Sequence, residues 1–464
     1  MYGWKRDFDW HRPVENDIIA KIRRNRGKER VMFGNRGKKR ILSAALLFAA
    51  ALPLAGCTRY TPPEMESGET VPESREDVLE TAGTGEGREA SEEAADAEEG
   101  EKETDRRVSE GPVIEIYDDA WNTDSPGEPA KVKGIYLSAY VAGSRERMAQ
   151  IIHEIDRTEL NAVVIDFKDD SGNITAEVES PLLQELGVCR PYISDLPGLL
   201  SELKAHGIYT IARVVSLRDP MMGEVRPQWC FQSEGGTVLR DSDSMTWLNP
   251  YQWEVREYLA EVGRQAALAG FDEVQFDYIR FSTNSGLQKA AMKEAGENSK
   301  TDIITELVGY IYDELSREGV YVSADVFGTI ISSSGDAQAV GQDYGALASR
   351  LDYICPMIYP SHYGDGNFGL DHPDLHPYET IVGALADSKK ALGEDKDGKT
   401  QETAAVRPWL QDFTASWLKH HIPYGDEEIR RQIQAVYDAG YEEWILWSAS
   451  NRYHYSALEA EQQN

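Results

Sequence analysis

Gly270-Phe-Asp-Glu-Val-Gln-Phe-Asp-Tyr-Ile-Arg-Phe281 is the stretch that decides the fold. Read with a period of two, Val274, Phe276 and Tyr278 point one way and Glu273, Gln275 and Asp277 the other, so a strand here has one apolar and one polar face. In a (β/α)8 barrel the apolar face meets the surrounding helices and the polar face the lumen, and residues at the carboxyl end of a strand line the active site. Asp277 is therefore the first candidate for a catalytic group. A turn cap, or a partner for Arg280, is the plainer role for a single Asp, and only neighbouring groups decide between the two.

Those neighbours come from a pattern that repeats. From Lys131 onward, short β-rich runs at 134–140, 161–167, 208–216, 272–281, 320–327, 352–359, 406–412 and 444–449 alternate with amphipathic stretches such as 145–158, 196–206, 251–269, 301–318 and 427–439. Eight strands alternating with helices predict a TIM barrel over 131–455, with 456–464 as a tail. An open doubly wound sheet is the alternative, but no Gly-rich phosphate loop follows the first strand.

Polar residues gather at the expected top of this barrel. Strand two ends Asp166-Phe-Lys-Asp-Asp170, with Asp166 and Lys168 opposite in parity to Val163, Ile165 and Phe167; strand five places Tyr321, Ser323 and Asp325 on one face. Aromatic residues gather there too: Tyr359, Trp409 and Trp447 at strands six, seven and eight. Around a carboxylate-lined cavity, aromatic faces can stack on the apolar faces of sugar rings. The expected substrate contacts are Asp166, Lys168, Arg213, Tyr278, Arg280, Tyr359, Trp409, Gln411, Asp412 and Trp447. Two long loops, 217–249 with Trp229 and Trp247, and 361–379 with His362, His372 and His376, would wall the cleft. The three histidines lack paired short spacing, so neither a metal nor another cofactor is expected.

Cleaving a glycosidic bond needs one carboxyl group as acid and a second as nucleophile or base. Asp277 and Asp325 end consecutive strands, which run about 5 Å apart. Carboxyls about 5 to 5.5 Å apart suit retention and a wider gap suits inversion. Asp277 is the expected nucleophile or charge stabiliser, held ionised by Arg280 or Arg213; Asp325, beside Val326 and Phe327, is the expected acid. The reverse assignment stays open.

The two ends of the chain carry a different message. Residues 1–56 hold 13 Lys/Arg against 5 Asp/Glu, whereas 58–110 hold 18 acidic against 6 basic residues. The second stretch, rich in Glu, Gly, Ala and Ser, cannot bury enough surface to fold, so 58–130 reads as a disordered acidic linker. Before it come Arg36-Gly-Lys-Lys-Arg40, the apolar run 41–54 and Leu54-Ala-Gly-Cys57, the layout of an export signal. Leu54-Ala-Gly-Cys57 resembles the bacterial lipobox, which implies that Cys57 is lipidated and becomes the mature N-terminus. Met32 would give a normal short basic segment, so 1–31 reads as an upstream extension and 32–57 as the signal peptide. The remaining cysteines, Cys189, Cys230 and Cys355, make no disulfide framework, although one bridge among them stays open. A formal charge of −32 argues against nucleic acid and against electrostatic attraction to anionic lipid, so attachment to the membrane would come from the lipid anchor.

From Lys133 to about Asn451 the chain resembles a bacterial glycoside-hydrolase-like barrel family first described as a domain of unknown function. The similar segments include Lys133-Gly-Ile-Tyr136, Val164-Ile-Asp-Phe-Lys-Asp-Asp170, Trp247-Leu-Asn-Pro-Tyr251, Gly270 to Phe281, Pro356-Met-Ile-Tyr-Pro-Ser-His-Tyr363, His376-Pro-Tyr378 and Arg407-Pro-Trp-Leu-Gln-Asp412. The resemblance implies a TIM barrel with a sugar-cleaving site. More distantly, Gly270 to Ile279 is similar to the chitinase-type signature Gly-x-Asp-Gly-x-Asp-x-Asp-x-Glu. Asp277 falls on its last Asp, while Gln275 replaces the middle Asp and Ile279 the catalytic Glu, so the chitinase mechanism is not expected. The leading expectation is a membrane-tethered hydrolase of a cell-envelope or extracellular polysaccharide. Its rivals are a non-catalytic carbohydrate-binding or envelope-assembly lipoprotein, and a metal-dependent deacetylase or esterase using Asp166, Asp169 and the histidine loop.

Overall fold

The computed structural model describes residues 130–296, 298–393 and 403–459. Cys57, the export segment, the upstream extension and nearly all of the acidic linker lie outside the described residues, as does the end of the C-terminal tail. Among the described residues no helix is long and apolar enough to cross a membrane. Within Glu179–Gly187, the helix Pro181–Leu186 has Ser180 as its N-cap and Gly187 as its left-handed C-cap.

The other described residues form a closed parallel barrel. Its strands are β1 (Lys133–Leu137), β2 (Ala162–Lys168), β3 (Tyr209–Val215), β4 (Glu273–Asp277), β5 (Tyr321–Phe327), β6 (Tyr353–Met357), β7 (Ala405–Val406, resuming as Trp409–Gln411) and β8 (Trp444–Trp447). Each strand pairs in parallel with the next, and β8 pairs with β1, so no edge is left open. The break in β7 falls at Arg407-Pro408, where a proline cannot donate to the ladder.

Alternation along the strands separates two buried layers. Tyr136, Ala162, Val164, Ile211, Cys355, Trp409 and Ile445 meet in one lumen cluster, while Val163, Ile165 and Phe167 belong to the opposite face of β2. Helices cover that outer layer through stripes spaced three and four residues apart. In the helix Trp253–Ala269 the stripe is Val255, Tyr258, Leu259, Val262 and Ala266, each side chain contributing about 1.5–3 kcal/mol on burial. Gly263 sits on this stripe because a Cβ there would come within 2.9 Å of Phe276 on β4 and 2.8 Å of Leu315. Gly270, at φ +103°, ends the helix and turns the chain into β4.

Several expected strands are shorter in the structure, and two of them end at a marked change of backbone direction. The 272–281 run stops as a strand at Asp277, because Tyr278 takes a left-handed φ of +50°. The 134–140 run ends at Leu137 and passes through Ser138 into a short helix, Ala139–Ala142. The 217–249 loop contains a helix, Pro220–Val225, and several isolated bridges that fold it back on itself. Cys189, Cys230 and Cys355 are free thiols.

Candidate active site

Arg213 organises the carboxyl end of the barrel. It lies in β3 in register with Asp166 of β2 and Gln275 of β4, so its side chain enters the lumen between two polar strands. Nη1 donates to Asp166 Oδ1 at 2.7 Å and to Asp170 Oδ2 at 3.2 Å, while Nε and Nη2 donate to Asp277 Oδ2 at 2.9 and 2.6 Å. The guanidinium lies 5.5 Å from the Tyr136 ring and 5.4 Å from that of Trp447, and these two rings stack at 4.2 Å. One cation thus serves three carboxylates and lies against a stacked pair of aromatic rings.

Asp277 is the last residue of β4. Besides Arg213, it takes a 2.6 Å hydrogen bond on Oδ1 from the backbone N–H of Tyr278. That bond accompanies the left-handed turn at Tyr278, a conformation that costs a bulky residue on the order of 1–3 kcal/mol. The Tyr278 hydroxyl accepts from Arg218 Nη1 at 3.1 Å, which braces the turn from the β3 side. Asp277 therefore accepts three N–H hydrogen bonds, two of them from the Arg213 guanidinium.

Asp325 lies one step past the last β4–β5 register pair, Phe276 with Ala324, which puts it beside Asp277. Trp409 Nε1 donates to its Oδ1 at 2.6 Å. Burial pushes the Asp325 carboxyl well above its ordinary range, and the charge of Asp277 pushes the same way. Asp166 is pushed up to about 6, mainly by burial, against the pull of Arg213. Its second oxygen accepts from the Tyr136 hydroxyl at 2.6 Å. The mouth therefore combines a guanidinium-bound carboxylate with a neighbouring carboxyl biased toward its protonated form, the pairing that general acid–base chemistry requires.

The structure gathers Asp166, Arg213, Asp277, Asp325, Trp409 and Trp447 in one cluster, and sets other expected contacts elsewhere. Lys168 stands apart because the register shifts between Asp166 and Lys168. It is fully buried, donates to the Val215 carbonyl at 2.6 Å and pairs with Asp219 at 2.9 Å. Arg280 lies over the rings of Phe327, Trp247 and Tyr278, while Arg213 makes the ion pair to Asp277. Gln411 is used within the fold, bonded to Ser361, Asp374, the Phe413 carbonyl and Gln432. Asp412 is buried and clamps His454, taking both its ring Nδ1 at 2.6 Å and its backbone N–H at 3.1 Å. Tyr359 joins the lumen cluster against His362 and Phe413. Trp247 approaches the Arg280 and Tyr278 side of the mouth, whereas Trp229 packs on the helix residue Tyr258.

Three members of the cluster escaped the sequence reading. Tyr136 was visible as the lumen-parity residue of β1, Asp170 as the end of the acidic run after β2, and Arg218 as a cation just past β3. Placing Asp170 and Arg218 required knowing which way the loops after β2 and β3 turn. Among the described residues no group of three or more His, Cys, Asp or Glu side chains is placed to hold a metal ion. Asp169 instead accepts from the backbone N–H groups of Ser171 and Asn173, and His372 stacks on His420 at 3.9 Å.

Comparison with known proteins places this geometry in a family. Residues 134–453 match the model of a family described as "Putative glycosyl hydrolase domain". The chain belongs to that family. It thus carries a glycosyl hydrolase domain on a (β/α)8 barrel. A search of curated proteins finds no match. Among solved structures, a hypothetical protein from Ruminiclostridium thermocellum is 34% identical, with 41% of this chain and 97% of that chain covered and a TM-score of 0.37. The glycoside hydrolase domain of PgaB (BpsB) from Bordetella bronchiseptica is 12% identical over 69% of this chain and 94% of that one, with a TM-score of 0.48. The glycoside hydrolase domain of PelA from Pseudomonas aeruginosa is 10% identical over 70% of this chain and 97% of that one, with a TM-score of 0.40.

Proposed function

We propose that the protein hydrolyses O-glycosidic bonds of a cell-envelope or extracellular polysaccharide, with Asp277 and Asp325 as its two working carboxyl groups. The observation that carries this reading is the unequal environment of two neighbouring strand ends. Asp277 accepts three N–H donors, two of them from a guanidinium, and Asp325 is driven toward its neutral form by burial and by Asp277. In this mechanism Asp325 protonates the departing oxygen as the glycosidic bond breaks, Asp277 stabilises or captures the positive charge that grows on the anomeric carbon, and water then adds to that carbon and returns a proton to Asp325. Arg213 fixes the position of Asp277, and Trp409 that of Asp325. Trp447, stacked on the buried Tyr136 ring, offers aromatic surface beside them.

The domain would work outside the cytoplasmic membrane, held by a lipid on Cys57 through the acidic linker 58–130. The basic segment, apolar run and Leu-Ala-Gly-Cys57 motif support this placement. Cys57→Ser should move the protein from the membrane to the aqueous fraction; a variant that stays membrane-bound would point to the apolar run as an uncleaved anchor.

Reducing-sugar release from a panel of polysaccharides tests the activity, with Asp277→Asn and Asp325→Asn as controls. Release that both substitutions abolish supports the assignment, and turnover indifferent to either refutes this pair. A second reading, carbohydrate binding without turnover, draws on the depth of Asp325, which is only 2% exposed. Binding of a panel member without any release of reducing ends would favour it.

A further inference from the structure

A run of packed aromatic side chains, buried at Trp409 and Tyr359 and open at its outer end, links Asp325 to the surface. Trp409, which donates to Asp325, belongs to the same lumen cluster as Tyr359, and Phe413 packs against that cluster. Phe413 lies 5.8 Å from Tyr359, on the loop that follows β7. On it lies Trp417, with ring centroids 6.0 Å apart and planes only 21° from parallel. Trp417 is 45% exposed, one of five large hydrophobic side chains left open to solvent among the described residues. A large indole held flat on another ring and open to water is an amphipathic contact surface already fixed in place, which lowers the entropic cost of binding to it.

We infer that Phe413 and Trp417 form a sugar-binding subsite outside the reacting position, which seats a further pyranose ring of a polysaccharide chain whose scissile bond lies at Asp277 and Asp325. The occupant is a carbohydrate chain because Phe413 and Trp417 lie on the loop after β7, the strand whose Trp409 holds Asp325, and because a pyranose ring presents both an apolar face for the indole and hydroxyls for water. A chain that reaches from the carboxylates to Trp417 spans more than one sugar ring, so the site favours polymers over short oligosaccharides. This inference rests on the reading of the mouth as a carbohydrate site.

The test separates binding from turnover. In the Asp277→Asn background, affinity electrophoresis is run in gels containing xylan, mixed-linkage β-glucan, galactomannan, dextran or glycol chitin. Trp417→Ala is then compared with Trp253→Ala, an equally open indole that packs on Tyr310 in the outer ring of helices. The expected result is retardation by at least one polymer, weakened about tenfold or more by Trp417→Ala and unchanged by Trp253→Ala, with a short oligosaccharide of the same sugar indifferent to both. Equal retardation of the Trp417→Ala and parent proteins, or no retardation in any gel, overturns the subsite. Retardation that depends on Trp417 without any turnover by the unsubstituted enzyme would retain the subsite and reject the hydrolase reading.

Discussion

The barrel contains two buried arginine clusters, one at each end, and they differ in how their charge is closed. At the amino-terminal end, Arg407 Nη1 meets both oxygens of Glu273 at 2.9 Å and Nε meets Glu443 at 2.8 Å. The Arg407 guanidinium lies 3.8 Å from the Tyr353 ring, and Ser323 and Tyr209 also donate to Glu273. Arg407 and Glu273 are both fully buried, so this pair is shut off from solvent. At the carboxyl end, Arg213 is just as buried but is spread over Asp166, Asp170 and Asp277, and the Asp170 side chain is 45% exposed. The lower guanidinium meets two glutamates and its Glu273 pair is sealed, whereas the upper one is shared by three aspartates, one of them open to solvent. The second arrangement stands where the strands end and the loops open, the end at which barrel enzymes carry their active sites.

The contrast can be broken most directly at Asp277. Asp277→Asn should lower turnover by about 10²–10⁴-fold while thermal unfolding stays near that of the parent, measured by reducing-end release and calorimetry. Arg407→Met should do the opposite. Removing one partner of a buried pair costs about 3–5 kcal/mol, so the unfolding midpoint in denaturant should fall sharply while the still-folded fraction keeps its turnover per molecule. A large loss of turnover in folded Arg407→Met would mean that the lower cluster also serves the reaction.

A smaller effect is expected at Trp409. Trp409→Phe removes a hydrogen bond that holds the Asp325 carboxyl down, so Asp325 should keep its proton to higher pH and the alkaline limb of the rate profile should move upward. A limb that stays in place, or moves down, would detach Asp325 from the acid role. The smallest effect is a titration. Burial raises Asp166 from its ordinary 3.8 to about 6, so its proton favours the folded state: the stabilisation is complete below about pH 4 and disappears as pH rises through about 6. Isotope-edited carboxyl NMR should find that midpoint in the native enzyme and lose the signal in Asp166→Asn.

Much of this was legible because a strand has a period of two. Glu273, Gln275 and Asp277 share the lumen face, and Asp325 follows from the same parity in the next strand. Parity failed where the backbone left its period. The register shift in β2 draws Lys168 into a pair with Asp219, and the left-handed turn at Tyr278 ends β4 several residues before the apolar run does. No spacing marks Gln411 and Asp412 as residues used by loops and by His454, since their partners lie 50, 37 and 42 positions away.

The sequence by itself determined the barrel, through alternating strands and helices, and marked Asp277 and Asp325 as carboxyls at the ends of adjacent strands. It could not say which arginine faces them, because Arg213 and Arg280 are equally plausible along the chain. The tertiary structure decided that: closure of the sheet turns β3 toward β4 and aims Arg213 at Asp277, while the turn at Tyr278 sends Arg280 onto Phe327 and Trp247. Charge partners in a barrel are set by register between neighbouring strands, and register is fixed only when the ring of eight is complete.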